Sequence, residues 1–369
     1  MATARQTSRG NSKVRNNKTL RIGFIGAGGI ADLQLRLLAK RKDVAVTALS
    51  EVNPETLQRR QAELPDAHCY TDYKEMLKTE KLDAVSVCTP NILHMQPTID
   101  ALRAGNHVLC EKPLSMTVAE GRKMLTAAKR ARKKLIIGFQ YRYDPRTQYL
   151  RQAMEEGQFG NILYGRVQAM RRRGIPNWGV FGRKELQGGG PLIDIGVHVL
   201  EMTHYTMGAP TPVSASADMF TYLGNKPSGG IQSMWPNWDH ETYTVEDLAV
   251  GRIRFDNGAV LHIESAFAAH VPDASQMNFQ LMGDKGGATW SPTVIFTDEA
   301  GHMVNKEPAW LADTAFDKVF ERKMKGFVDH VLYNKPTIAP ATDGLKVQAM
   351  LNALYASADK KGKEVSIKL

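Results

Sequence analysis

From Leu20 to Phe139 the chain alternates short apolar runs with stretches whose apolar residues recur every three or four positions. The runs Leu20–Ile25, Val44–Leu49, Ala84–Cys88, His107–Cys110 and Leu135–Phe139 are rich in β-branched and other apolar side chains, as strands buried on both faces must be. Between the first two, Ile30, Leu33, Leu37 and Leu38 share one face of a helix. Strand and helix in alternation predict a parallel sheet with helices on both sides.

After Phe139 the pattern changes. A helix beginning near Pro145 leads into a strand over Ile162–Met170, and a glycine-rich loop gives way to a helix from about Asp194 to Met207. Strands over Thr244–Phe255 and Ala259–Ala268 flank Asp256-Asn257-Gly258, whose Asn-Gly pair is a hairpin signal. Two helices, about Thr314–Tyr333 and Asp343–Ala358, precede a short strand at Val365–Lys368. This half reads as α+β, a large, mostly antiparallel open sheet with helices on one face, and no internal repeat is seen.

A length of 369 residues fits two domains, and 43% hydrophobic with 23% charged residues is a globular composition. No stretch approaches the ~18 consecutive apolar residues of a membrane span. The net charge of +10 looks like a nucleic-acid signal until it is located. Arg5, Arg9, Lys13, Arg15, Lys18 and Arg21 supply six of the ten surplus charges, with no acid among them. The folded body is therefore only mildly basic, and neither a nucleic-acid nor a membrane partner is expected. The tail lacks the apolar core of a signal peptide and reads as a disordered arm over residues 1–20, able to reach a neighbouring subunit. Cys69, Cys88 and Cys110 are odd in number, and the last two lie in apolar runs, which fits a reducing cytoplasm.

Gly26-Ala27-Gly28-Gly29-Ile30-Ala31 follows the first strand and opens the first helix, matching G-x-G-x-x-A where that spacing has meaning. Gly26 permits the tight turn, Gly28 lets the backbone approach a pyrophosphate beside Gly29 and Ile30, and Ala31 allows close packing of helix on strand. The helix N-terminus adds unpaired N–H groups and partial positive charge. Glu51, at the end of the second strand, stands where a carboxylate grips the ribose hydroxyls. A carboxylate there repels a 2′-phosphate, so the cofactor is expected to be NAD. Arg59 and Arg60 read as a solvated helix face. The fold class is α/β, with a basic arm at 1–20, an NAD-binding Rossmann domain at 21–143, and an α+β domain for substrate and oligomerisation at 144–369.

Thr89-Pro90-Asn91 with His94, then Glu111-Lys112-Pro113, then Asp194-Ile195-Gly196-Val197-His198, resemble in order and spacing the Gfo/Idh/MocA oxidoreductases. The resemblance runs from about residue 20 to the C-terminus. It implies a Rossmann domain followed by an α/β domain whose open sheet often forms a subunit interface, hence a homo-oligomer, a dimer or tetramer. It implies that Thr89, Asn91, His94, Glu111 and Lys112 adjoin the cofactor. Lys112 then polarises the reacting alcohol, with a Lys–Pro peptide that is commonly cis in the family. His198 is the implied general base, and Asp194 its partner or a substrate ligand. Asp194 and His198 are four residues apart and share a helix face. Gly188-Gly189-Gly190 before them lets the backbone approach a ligand. A metal held by Asp194, His198 and His204 is disfavoured because His204 falls on another face, and no metal is expected.

A narrower resemblance covers Arg171 to Phe181, Lys184-Glu185-Leu186-Gln187 and Tyr243-Thr244-Val245-Glu246-Asp247, which look like the branch of bacterial D-glucoside 3-dehydrogenases. It implies oxidation of a glucosyl C3 hydroxyl. Asn177 departs from that branch, where a glycine is expected, and bears on the aglycone side of the site. Trp178 offers an apolar face to a pyranose, and Arg172 or Arg173 offers hydrogen bonds to its hydroxyls. Tyr141 and Arg142 are further candidates for lining the nicotinamide side. Other readings are an inositol or free-sugar dehydrogenase, a glycosidase that retains NAD, and a ligand-sensing regulator, although a sensor has no need of a proton-transfer set.

Overall fold

The computed structural model describes residues 19–369. All but the last two positions of the expected basic arm lie outside them. The first sheet has six parallel strands, β1 (Leu20–Ile25), β2 (Val44–Ser50), β3 (His68–Tyr70), β4 (Ala84–Val87), β5 (His107–Cys110) and β6 (Leu135–Ile137). Their order is β3-β2-β1-β4-β5-β6, a doubly wound sheet whose direction of build reverses at β1. Five of the six follow from their apolar runs. The β3 strand was not expected, since His-Cys-Tyr at the sheet edge carries no fully buried side chain to mark it. The last strand stops at Ile137, short of the expected Phe139, because a 3-10 turn over Gln140–Tyr143 follows.

The second sheet has nine strands, β7 (Ile162–Arg171), β8 (Pro212–Phe220), β9 (Leu248–Phe255), β10 (Val260–Ala266), β11 (Ser275–Gly283), β12 (Gly286–Thr289), β13 (Val294–Glu299), β14 (His302–Lys306) and β15 (Val365–Ser366). They run in the order β14-β13-β12-β11-β7-β10-β9-β8-β15, antiparallel throughout except where β7 lies beside β10. The predicted hairpin joins β9 to β10, with Gly258 at φ +86°. Along β7 and β10 the residues Val167, Ala169, Leu261 and Ile263 are buried under helices, while Arg166, Gln168, His262 and Glu264 occupy the other face. Buried apolar residues form one main core through both sheets, with Met170, Ala266 and Ala269 as a small second cluster. No helix of the described residues is long and apolar enough to cross a membrane.

Two expected elements change. The strand predicted from Thr244 begins at Leu248, because Glu246 and Asp247 turn their carboxylates inward to hold other loops. The helix predicted from Asp194 opens as a π-turn over Leu192–Gly196 and becomes α-helical only over Val197–Thr206.

Arg142 is completely buried and does not line an open site. Its Nε donates to Glu201 Oε2 at 2.7 Å, and its Nη1 donates to Asp343 Oδ2 at 2.6 Å and to the Ile338 carbonyl at 2.8 Å. The 3-10 turn after β6 is thereby tied to the helices Val197–Thr206 and Ala341–Ala358. Removing one partner of such a pair strands the other, so Arg142→Met is expected to cost about 3–5 kcal/mol in urea denaturation, and Glu201→Gln in that background to restore part of it. A loss within the scatter of a surface substitution would contradict the network.

Candidate active site

The glycine turn after β1 forms as its spacing requires. Gly26 takes φ +86°, and a Cβ there would lie 2.7 Å from the Cys88 carbonyl oxygen. A Cβ on Gly28 or Gly29 would meet nothing within 4 Å, so open space lies before the helix Gly29–Leu38, while Ala31 packs fully buried on the sheet. Free N–H groups facing open space suit a pyrophosphate. Glu51 is fixed beside this turn, its Oε2 accepting the Ala27 N–H at 2.8 Å and its Oε1 the Asn53 N–H at 2.9 Å. Arg60 is not the solvated residue expected. It is buried beneath the turn, with Nε donating to the Ala27 carbonyl at 3.1 Å and Nη1 paired with Asp32 and Glu63.

Lys112 and Glu111 leave the end of β5 in different directions. The Glu111 carboxylate turns into the core, where Oε1 accepts from Lys323 Nζ at 2.6 Å and Gln34 Nε2 at 2.5 Å. A Cβ on Gly138 would fall 2.4 Å from its Oε2, so any larger residue there has to displace the carboxylate. The Lys112–Pro113 peptide is cis. Lys112 Nζ donates to Asp194 twice, to the carbonyl at 2.8 Å and to Oδ1 at 2.9 Å. His94 is buried between the carbonyls of Pro113 and Thr89, at 2.6 and 3.0 Å, and braces the Thr89-Pro90-Asn91 turn against the Lys112 segment. Asn91 Nδ2 donates to the Gln187 carbonyl at 2.9 Å, a link from the first sheet to the loop before Asp194.

That loop is held from behind. Glu246 accepts the N–H groups of Gly190 and Leu192 at 3.0 and 3.2 Å and the Tyr355 hydroxyl at 2.8 Å. Ser265 Oγ donates to the Pro191 carbonyl at 2.8 Å. Here the glycine triplet has a different purpose from the one expected. A Cβ on Gly189 would lie 1.9 Å from the Tyr355 hydroxyl, and one on Gly190 would lie 2.4 Å from the Glu246 carbonyl oxygen. The close approach is to the protein itself.

His198 is 9% exposed and meets the Tyr141 ring edge to face at 5.3 Å. Burial lowers its pKa well below the ordinary imidazole value, and the charges of Lys112, Lys323 and Arg171 push the same way. The ring is therefore neutral at pH 7. Its Nδ1 lies 3.5 Å from the Gln140 amide, whose Oε1 is buried without a partner among the described residues. With that amide turned by half a rotation, Oε1 accepts from an Nδ1–H and the imidazole Nε2 keeps its lone pair. No motif in the sequence marks Gln140.

The three arginines at the end of β7 differ in where they stand. Along β7 the parity of Val167 and Ala169 continues to Arg171, which enters the helix-covered side, where burial lowers its pKa and the Asp194 charge opposes that. Arg172 is exposed, and Arg173 turns to the Ala269 carbonyl and the His270 ring. The alternation along β7 was the signal that separates them. Arg171 lies 5.0 Å from the centre of the Trp235 ring, and Trp178, 49% exposed, meets Trp235 edge to face at 4.7 Å. His204 faces away, stacked on Phe255 with Nε2 at the Pro210 carbonyl.

Residues 20–139 match the Gfo/Idh/MocA profile described as oxidoreductase family, NAD-binding Rossmann fold, and residues 151–367 match its C-terminal alpha/beta domain. The chain is 39% identical over 341 residues to D-glucoside 3-dehydrogenase of Escherichia coli strain K12, covering 92% of this chain and 95% of that one. It is 27% identical over 355 residues to myo-inositol 2-dehydrogenase of Thermotoga maritima, covering 95% and 98%. Among solved structures, levoglucosan dehydrogenase in complex with NADH and levoglucosan aligns with a TM-score of 0.82 at 22% identity, over 95% of this chain and all of that one. GenD2 from gentamicin A biosynthesis, in complex with NAD, aligns with a TM-score of 0.75 at 22% identity over 99% of this chain and 100% of that one. At such identities these two likenesses speak for the fold.

The close packing behind the loop gives a direct test. Gly190→Ala forces a methyl group against a backbone oxygen and is expected to lose roughly 1–3 kcal/mol in denaturant unfolding, with a parallel drop in activity as Asp194 shifts. Full stability and full activity would contradict the packing.

Proposed function

The chain belongs to the Gfo/Idh/MocA oxidoreductase family, whose first domain binds NAD, and on that premise we propose that it oxidises the C3 hydroxyl of a D-glucoside to the 3-keto-glucoside. The observation that carries the chemistry is the Lys112 ammonium on Asp194, 2.9 Å away, in the same site as a neutral, buried His198. The glucoside follows from the relative at 39% identity, whose printed name states that activity.

Oxidation of a secondary alcohol removes a proton from oxygen and a hydride from carbon. NAD, when bound, supplies the hydride acceptor; its pyrophosphate would lie at Gly26, Gly28, Gly29 and Ile30 and its ribose at Glu51. The turns carrying Thr89, Asn91 and His94 brace the nicotinamide side. Lys112 donates a hydrogen bond to the reacting oxygen and stabilises the negative charge that grows there. Asp194 holds the ammonium in place and accepts from the sugar. His198 takes the hydroxyl proton at Nε2, with its tautomer fixed by Gln140 at Nδ1. Arg171 donates to neighbouring hydroxyls in the position first expected of Arg172 and Arg173, and Trp178 lies beyond it.

These roles carry three expected outcomes. With methyl glucoside deuterated at C3, the label is expected in NADH; transfer from C1 or C2 would overturn the assignment of the carbon. Lys112→Ala and His198→Ala are each expected to lower kcat ~10²- to 10⁴-fold while NAD still binds. Because the His198 imidazole is held below its ordinary value, kcat/KM should persist as pH falls through about 6.5 and fail only at lower pH, where that ring protonates. An acid limb centred at the ordinary imidazole value would show that another group is the base.

A further inference from the structure

Outward from His198 the side chains change in character. Arg171 is followed by Trp235, 5.0 Å from its guanidinium, then by Trp178 at 4.7 Å from Trp235, then by Phe181 at 5.9 Å from Trp178. The aromatic rings sit on two loops, 172–183 and 221–247, that are clasped together. Asn177 Nδ2 donates to the Pro236 carbonyl at 2.8 Å, and the Met234 N–H donates to the Arg173 carbonyl at 3.1 Å. The second loop is secured at its root by Asp247, which accepts the N–H groups of Tyr222, Leu223 and Gly224, and by Trp238 Nε1 on the Gly224 carbonyl at 2.9 Å.

Trp178 nevertheless remains 49% exposed. A large ring held in a fixed place and left half in water, next to a second tryptophan that adjoins Arg171, is what a binding surface requires and what packing alone does not. In a pyranose oxidised at C3, C1 is separated from the reacting carbon by C2 alone, and an equatorial substituent on C1 leaves the ring in a different direction from the C3 hydroxyl. A substituent on C1 can therefore leave the reacting groups on the side where Arg171 adjoins Trp235.

We propose that Trp178, Trp235 and Phe181 form an aglycone subsite that takes a flat aromatic group, making aryl glucosides the preferred substrate class. This rests on the glucoside reading above. Asn177, the departure from glycine noted in the sequence, is the clasp that sets the two loops in register. Stacking is made equally in ground and transition states, so the preference appears in KM rather than in kcat.

The test compares phenyl and methyl glucosides of the same anomer. Phenyl glucoside is expected to have the higher kcat/KM, on the order of tenfold, with similar kcat. Trp178→Ala should bring the ratio close to one, Trp178→Phe should keep part of it, and Asn177→Ala should lower it by loosening the clasp. A ratio near one in the unaltered enzyme, or an unaltered ratio in Trp178→Ala, overturns the subsite. Absence of C3 oxidation with either glucoside overturns the reaction instead, and calorimetric titration of both glucosides into the NAD-loaded enzyme then reads the same ratio without turnover. Equal affinities there overturn the subsite independently.

Discussion

The two hydrogen bonds from Lys112 to Asp194 are the constraint around which the molecule is arranged. The partners are 82 residues apart, one at the carboxyl end of a parallel strand and the other in the π-turn that opens a helix on the second sheet. Neither sheet alone contains the site. A long lysine side chain loses much rotamer freedom when fixed, so the backbone on each side must be held independently of the pair. On one side Glu111 is locked into the core by Lys323 and Gln34, and on the other Glu246 collects the backbone N–H groups of Gly190 and Leu192.

These supports are themselves charged and buried. Lys323 is 1% exposed and Glu246 5%, and desolvation pushes the Glu246 carboxyl up while the Gly190 N–H and other donors pull it back. Buried charge is a costly way to gain stability. It is a good way to fix position, because each charge has few partners it can accept. It also sets a field. Burial first, and then the charges of Lys112, Lys323 and Arg171, keep His198 unprotonated, while Asp194 and Glu111 balance the charges of Lys112 and Lys323. The arrangement is suited to accepting a proton from an alcohol, since a base must be empty before it can work.

The outer part of the site is built on other terms. Around Lys112 and His198 the donors are buried and fixed by strand ends and helix starts, whereas Trp178 and Trp235 are carried by loops joined through backbone carbonyls and one asparagine. Loops on a rigid scaffold are where recognition varies most easily. On the reading proposed above, the chemical step and the choice of aglycone fall to different parts of the chain.

The sequence by itself determined what depends on near neighbours. The apolar runs of β1, β2, β4, β5 and β6, the glycine turn after β1, the Asn-Gly hairpin and the terminal helices are each specified within about a dozen residues, and each forms. Residues Lys112, Asp194 and His198 were named from motifs and do lie together. What the tertiary structure decided is what depends on residues far along the chain. The weak strand β3 exists because β2 offers an edge. Thr244 to Asp247 has strand-like composition but is a loop because Glu246 and Asp247 find buried N–H donors elsewhere. Arg60 has the sequence of a surface residue, yet Ala27, Asp32 and Glu63 converge on it. Gly189 and Gly190 look like a ligand-binding turn, but Tyr355 and Glu246 occupy the space their missing side chains leave. Periodicity reports which side of a strand or helix is dry; which charges meet there is set by chain segments that a local pattern cannot contain.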